Sequence, residues 1–287
     1  MTDAPFTLIE PARRTTCAVF AAPHSGRDYP ADMMGRTRLD AQQIRSSEDA
    51  WIDRLFDAAP ACGAPFLIAR APRAYVDLNR AAEELDPALI AGVRRISHNP
   101  RVSSGLGVIP RVVAGGRPIY DGKLGMDEAR RRIAEVWTPY HDTLARLLDE
   151  SRRRFGQPVL IDCHSMPHEA LDSVAGGGQP RPDVVLGDRF GAAAAPDIVD
   201  RIEAAFEAAG LRVSRNMPFA GAYIAQTYGR PAKRRHAVQV ELDRSLYMDE
   251  ATMEPNEGFD ALRATLGRVI ADIADLCAPR DLRPAAE

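Results

Sequence analysis

The sequence predicts an α/β protein in which a mixed, mostly parallel sheet is flanked by helices as a three-layer sandwich. Apolar runs of strand length alternate along the chain with stretches of helical period. Several of the runs are uninterrupted aliphatic segments rather than in/out alternations, as strands covered on both faces require. The 287 residues are enough for a substantial core, read as one α/β domain over residues 1–287.

Taken in order, the first strand is Cys17–Ala22 (CAVFAA), followed by a short helix from Asp49 to Ala59 through Trp51, Ile52, Leu55 and Phe56. Pro65–Ala69 and Ala74–Leu78 read as two further strands, and the Gly-, Pro- and Arg-rich stretch Arg94–Gly125 as a loop at the sheet rim. Asp127 opens a long helix with Ile133, Val136, Trp137, Tyr140, Leu144, Leu147 and Leu148 on one face, and Pro139 inside that pattern is expected to kink it. Pro158–Cys163 is a strand, Ala175–Asp183 (AGGGQPRPD) a loop, and Asp183–Leu186 a strand. A helix from Pro196 to Ala209 carries Ile198, Ile202, Ala205 and Phe206 and stops at Gly210, a natural C′ glycine. Ala237–Leu242 is the last strand, and Phe259, Leu262, Leu266, Val269, Ile270, Ile273 and Leu276 mark the final helix. The tail after Ala278 is polar and expected to fray.

Composition narrows the functional classes. With 40 acidic against 37 basic residues the formal charge is −3, which argues against a nucleic-acid binder relying on a broad basic field. No apolar window approaches a membrane span, and the N-terminal MTDAPFTLIEPARRTT lacks the pattern of a secretory signal. Cys17, Cys62, Cys163 and Cys277 are far apart with no CxxC pair, so they read as reduced thiols of a cytoplasmic protein. There is no GxSxG elbow, HExxH pair, GxxxxGK[ST] loop or strand-linked GxGxxG, so serine-hydrolase, zincin, P-loop and dinucleotide readings lose support.

Chemistry gathers where apolar runs end, the usual place for ligands in α/β sheets. The first strand leads into Pro23-His24-Ser25-Gly26, the run at Pro158 ends in Asp162-Cys163-His164-Ser165, and the run at Ala237 reaches Glu241. A catalytic zinc site takes three ligands from His and Asp/Glu and leaves a position for water. His24 and His164, each placed just after a strand, are the candidate nitrogen ligands; singly each reads as a core histidine, and only the repeated placement favours a metal. The third ligand is sought in Ser47-Glu48-Asp49-Ala50-Trp51, where for Asp49 a ligand role and a helix-capping role stand level.

Glu241 ends an apolar strand and needs a partner. A general base beside the metal and an ion pair with Arg244 or Arg230 are equally good readings. Asp77-Leu78-Asn79-Arg80 offers a guanidinium suited to a carboxylate substrate, or an internal Asp77–Arg80 salt bridge. Arg230 and Arg244, near expected strand exits, extend the case for an anionic substrate. His141 reads as a packing or pocket residue, His168 as exposed unless it approaches the His164 site, and His98 and His236 as structural or exposed.

Ordered blocks from Val19 to Glu250 resemble the N-formylglutamate amidohydrolase family: PHSG (Pro23–Gly26), EDAWIDRLF (Glu48–Phe56), VDLNR (Val76–Arg80), PIY (Pro118–Tyr120), WTPYH (Trp137–His141), DCHS (Asp162–Ser165), GAYIAQTYGRP (Gly221–Pro231) and HAVQVELDRSLYMDE (His236–Glu250). The resemblance implies a zinc-dependent hydrolase with a fold related to zinc exopeptidases such as carboxypeptidases. It also implies one divalent ion, Zn²⁺, and cleavage of an N-formyl or similar N-acyl amide of an acidic amino acid. N-formyl-L-glutamate giving L-glutamate and formate is the expected reaction, as in the last step of one histidine-degradation route. Carried over by position, His24, Asp49 and His164 would be the metal ligands and Glu241 the catalytic carboxylate. Substrate contacts are expected at Asn79, Arg80, Ser165, Tyr223, Arg230 and Arg244. Where family members often read TDWH, this chain reads Glu48-Asp49-Ala50-Trp51, which favours Asp49 as the shared acid and removes a histidine. The alternatives are a related deacylase or carboxypeptidase-like hydrolase on another N-acyl amino acid, and a non-catalytic anion binder.

Overall fold

Seven strands form the main sheet of the computed structural model, which describes residues 4–94, 99–173 and 181–278. His98, residues 175–180 of the expected loop and the tail after Ala278 lie outside the described residues. The strands are β1 Phe6–Ile9, β2 Ala18–Ala22, β3 Phe66–Ala69, β4 Val159–Met166, β5 Val184–Gly187, β6 Val213–Arg215 and β7 His236–Asp243. Their order across the sheet is β1-β3-β2-β4-β7-β5-β6. Strands β2, β4 and β7 are parallel neighbours, whereas β5 runs antiparallel to β7 and parallel to β6. The sheet is therefore mixed and mostly parallel, flanked by helices, with β2, β4, β5 and β7 buried along their whole length. Five of the six expected strands are present; β1 and β6 are short and only partly buried, so their sequences carry a weaker apolar signal.

Two compact units divide the chain. One comprises Leu8–Ala22, Trp51–Leu67 and Leu144–Glu287, and it holds the parallel core of the sheet. Within it, α3 (Pro196–Ala208) packs on β5, β6 and α5 (Phe259–Leu276), while α4 (Tyr223–Tyr228) packs on β4 and β7. Val199, Ile202, Ala205 and Phe206 are the buried face of α3, and Gly210 follows in the left-handed region at φ 89°, as its C′ position requires. Leu262, Leu266, Val269, Ile270 and Ile273 are buried along α5, as their spacing predicts. Polar ties fasten the segment ahead of β2: Arg14 donates to the Leu147 carbonyl and to Ser151, whose hydroxyl donates to the Cys17 carbonyl.

The other unit comprises Met1–Thr7, Pro23–Ala50 and Ile68–Thr143. Much of it is turns and irregular chain, held by a few buried polar anchors. Arg132 is fully buried, with its guanidinium stacked 4.1 Å from the centroid of the Tyr75 ring and donating to Tyr120 Oη at 2.7 Å. Arg132 ends α1 (Met126–Arg132), which continues through a π-helical turn at Ile133–Trp137 into α2 (Thr138–Phe155). The expected disturbance at Pro139 takes this form: a proline has no N–H to give and crowds the carbonyl four residues back, so the turn ahead of it widens.

Two expectations are corrected. The helix over Asp49–Ala59 is confined to Ile52–Leu55, with turns on both sides. The run Ala74–Leu78 is buried throughout but is not a strand: Tyr75 and Val76 N–H both turn back to the Pro72 carbonyl, and Asp77 N–H bonds the Val108 carbonyl. A short apolar run records burial, not extension.

Candidate metal centre

The parallel register builds one half of the site. Side chains alternate faces along a strand, so the pairs Asp162↔Gln239 and His164↔Glu241 set these four residues side by side on one face of β4 and β7. His164 therefore lies inside β4 rather than after it, because the strand runs on to Met166. All four residues are buried, and Asp162 is wholly so. Asp162 Oδ2 lies 3.1 Å from His164 Nε2, and Gln239 Nε2 donates to Glu241 Oε1 at 2.8 Å. On the opposite face, burial and the neighbouring Asp162 push the Cys163 thiol well above its usual range, so it is an inert apolar side chain and no thiolate ligand.

The loop after β2 carries His24. Ala21 pairs with Asp162, so the segment leaving β2 departs at the same end of the sheet as the polar end of β4. Gly26 is required there: a Cβ would stand 2.2 Å from the Ala71 carbonyl oxygen, so no larger residue fits without moving backbone. His24 is buried, with Nε2 2.7 Å from Asp77 Oδ1 and Nδ1 3.4 Å from Asp49 Oδ2. Burial alone would raise the Asp77 carboxyl, but Arg73, His24 and Arg80 outweigh it and hold it well below the usual carboxylate range. An ionised carboxylate only accepts, so His24 Nε2 carries a proton toward Asp77 while Nδ1 faces Asp49. Asn79 N–H also donates to Asp77, at 2.8 Å.

Asp49 is placed by its own N–H, which bonds the His24 carbonyl at 3.0 Å, and by the chain turning at Trp51, a left-handed residue (φ 68°) at the cap of the short helix. The adjacent Glu48 faces elsewhere: it accepts from Tyr29 Oη at 2.7 Å and from Arg45 Nε at 3.2 Å, and burial raises its pKa against those partners. Of the two acids, Asp49 is the one whose carboxylate lies beside His24.

Among the described residues, one ligand atom from each of His24, Asp49 and His164 falls within 4.8 Å of the others. Two imidazoles and one carboxylate are a donor set suited to a divalent ion such as zinc. The His24 imidazole has a carboxylate hydrogen-bonded at its Nε2, the outer-shell arrangement that fixes tautomer and ring orientation at metal sites, whereas Asp162 Oδ2 stands 3.1 Å from His164 Nε2 without hydrogen-bond geometry. His24 Nδ1 faces the Asp49 carboxylate at 3.4 Å, an arrangement that a shared cation satisfies, so the residues fit the ion.

The remaining candidates divide. Arg244, at the end of β7, is buried and donates from Nε to Ser165 Oγ at 3.1 Å. Arg80 is buried and held by the carbonyls of Leu106 (3.0 Å) and Asn79 (2.9 Å), 4.0 Å from Asp77. Tyr223 opens α4, directly after Ala222, whose N–H bonds Gln239 Oε1 at 3.1 Å. Arg230 is not with them. It is exposed, donates to the carbonyls of Gln226 and Gly229, and its backbone pairs with Arg235, six residues and about 20 Å of strand before Glu241. His141 is stacked on Trp137 and bonds the Leu78 carbonyl at 2.9 Å, His168 is engaged by Asp243, and His236 Nδ1 accepts from Ala195 N–H. Burial lowers the His141 pKa to about 4, so it is a neutral packing residue. The sequence had singled out Asp77 only as a partner for Arg80, and Asp162 and Gln239 not as site residues.

Known proteins resemble this chain along most of its length. The sequence model of the N-formylglutamate amidohydrolase family matches residues 16–248. N-formylglutamate deformylases of Pseudomonas aeruginosa and Pseudomonas putida are each 35% identical, over 237 and 235 residues, or 81% of this chain and 82% of theirs. The crystal structure of an N-formylglutamate amidohydrolase from Ralstonia eutropha JMP134 superposes with a TM-score of 0.89 at 37% identity, covering 96% of this chain and 99% of that one. A gene product of Agrobacterium tumefaciens, 19% identical, shares the fold at a TM-score of 0.57 over 94% of this chain and 96% of its own. With the family model matching residues 16–248 and relatives 35% identical over 81% of its length, the chain belongs to the N-formylglutamate amidohydrolase family.

Proposed function

We propose that the protein is a zinc-dependent amidohydrolase that cleaves the N-formyl amide of N-formyl-L-glutamate, releasing formate and L-glutamate. The observation that carries this reading is the buried group His24, Asp49 and His164, its ligand atoms within 4.8 Å of one another. When bound there, a zinc ion supplies Lewis-acid polarisation of the scissile amide and of water.

The chain's own residues do the rest. Asp77 holds the His24 imidazole in orientation through its Nε2 atom. Glu241 takes a proton from the attacking water as the water oxygen bonds to the formyl carbon. It returns that proton to the amide nitrogen as the C–N bond breaks, so formate and the free amine leave. Arg244, fixed by Ser165, and Arg80, fixed by two backbone carbonyls, are guanidinium donors for the substrate carboxylates. Tyr223 and Asn79 complete the proposed contacts. Arg244→Ala should then raise KM by about tenfold or more with a smaller effect on kcat, while Arg230→Ala leaves KM unchanged. The free cysteines suit a reducing compartment, and the cytoplasm is the proposed location; among the described residues no helix is long and apolar enough to cross a membrane.

Formate release from N-formyl-L-glutamate, measured before and after chelation and after zinc is restored, tests the proposal. Turnover that is lost on chelation and recovered with zinc is expected. Turnover indifferent to metal removal, or no formate from this substrate while another N-acyl amino acid is cleaved, would contradict it.

A further inference from the structure

Taking Glu241 as the proton carrier proposed above, we infer that Gln239 is a positioning residue whose single amide group fixes both the Glu241 carboxylate and the segment 219–223. Gln239 and Glu241 are two residues apart on β7 and share its polar face, with Nε2 donating to Glu241 Oε1 at 2.8 Å. The other end of the same amide, Oε1, accepts from Ala222 N–H at 3.1 Å. A carboxylate only accepts and a backbone N–H only donates, so just one orientation of the Gln239 amide serves both.

The segment that Gln239 grips lies across the same face. Gly187 of β5 pairs with Gln239, and a Cβ on Gly187 would meet Ala220 C at 2.7 Å, Gly221 N at 2.7 Å and Phe219 O at 2.9 Å. Phe219 packs on the buried cluster of Met166, Leu171 and Val185, and Val185 pairs with Glu241. The chain therefore runs over β5 from Val185 to Gly187, reaches Gln239 at Ala222, and starts α4 with Tyr223. One side chain thus sets the position of the proton carrier and of the backbone that delivers Tyr223. A glutamate side chain has three rotatable bonds, and a proton carrier displaced by about 1 Å loses much of its effect.

Two variants separate the two bonds. Gln239→Leu removes both; Gln239→Glu keeps an acceptor for Ala222 N–H and replaces the neutral donor to Glu241 by a second carboxyl, which either repels Glu241 or shares its proton. With N-formyl-L-glutamate as substrate and zinc content confirmed equal to wild type, kcat should fall about tenfold or more in both variants. KM should rise in Gln239→Leu alone. Hydrogen exchange at the Ala222 amide should accelerate in Gln239→Leu and stay slow in Gln239→Glu. If both folded, zinc-replete variants turn over within about twofold of wild type, or if Ala222 exchange is unchanged in Gln239→Leu, the assignment is overturned. Should Gln239→Leu fail to fold, the kcat of Gln239→Glu against its unchanged KM decides. Glu241→Gln is the control: if it retains turnover, the reading of Glu241 fails, and Ala222 exchange still decides whether Gln239 holds the segment.

Discussion

The two faces of β4 and β7 do opposite work. One presents Ile161, Cys163, Val238, Val240 and Leu242, all buried; the other presents Asp162, His164, Gln239 and Glu241, equally buried. The apolar face secures the strands by burial, worth about 25 cal/mol per Å² of apolar surface removed from water. The polar face pays a desolvation cost that is offset where a group meets a complementary one, as Glu241 meets Gln239. Placing the polar set on the most deeply packed strands of the sheet gives it the rigidity that catalytic geometry needs. The loop arm is built otherwise: His24 has no strand beneath it and depends on Asp77 and the close backbone packing at Gly26.

Separate faces imply separable effects. Glu241→Gln should lower kcat by about 10³-fold or more with the fold and metal content retained, read from formate release and elemental analysis. Asp77→Asn should weaken zinc binding by about 10- to 100-fold in a chelator competition, because His24 loses the carboxylate on its Nε2. On the apolar face, Val240→Ala should cost about 1–2 kcal/mol in denaturant unfolding and leave kcat per folded molecule near wild type. Loss of turnover in a fully folded Val240→Ala protein would show that the faces are not independent.

The smallest effect is on the pH dependence of stability. Burial lowers the His141 pKa to about 4, against about 6.5 unfolded, so between those values the unfolded chain binds the extra proton. Stability therefore falls as pH drops through that window, and His141→Asn should flatten the slope by up to about one proton in denaturant midpoints measured from pH 7 to 4.

The centre of the sheet was legible because buried strands spell apolar runs: β2, β3 and β5 are continuous ones, β4 opens on Val-Leu-Ile, and β7 carries Ala-Val, Val and Leu between its polar residues. His24, His164 and Glu241 stood out as polar residues ending such runs. Asp162 and Gln239 did not, although Asp-Cys-His and Gln-Val-Glu show a period-two alternation inside otherwise apolar segments, the mark of a strand with one polar face. Asp77 was seen only as a neighbour of Arg80. Its contact with His24 spans 53 residues of sequence, and no local pattern encodes a pairing of that separation. Arg230 misled because its turn precedes β7 rather than following it.

The metal content of protein purified without chelator tests the account most directly, measured by elemental mass spectrometry on the wild type and on His24→Ala and His164→Ala. About one zinc per chain in the wild type, lost from both variants together with formate release, is the predicted result. Full deformylation by a metal-free wild type, or undiminished zinc in both variants, would contradict it.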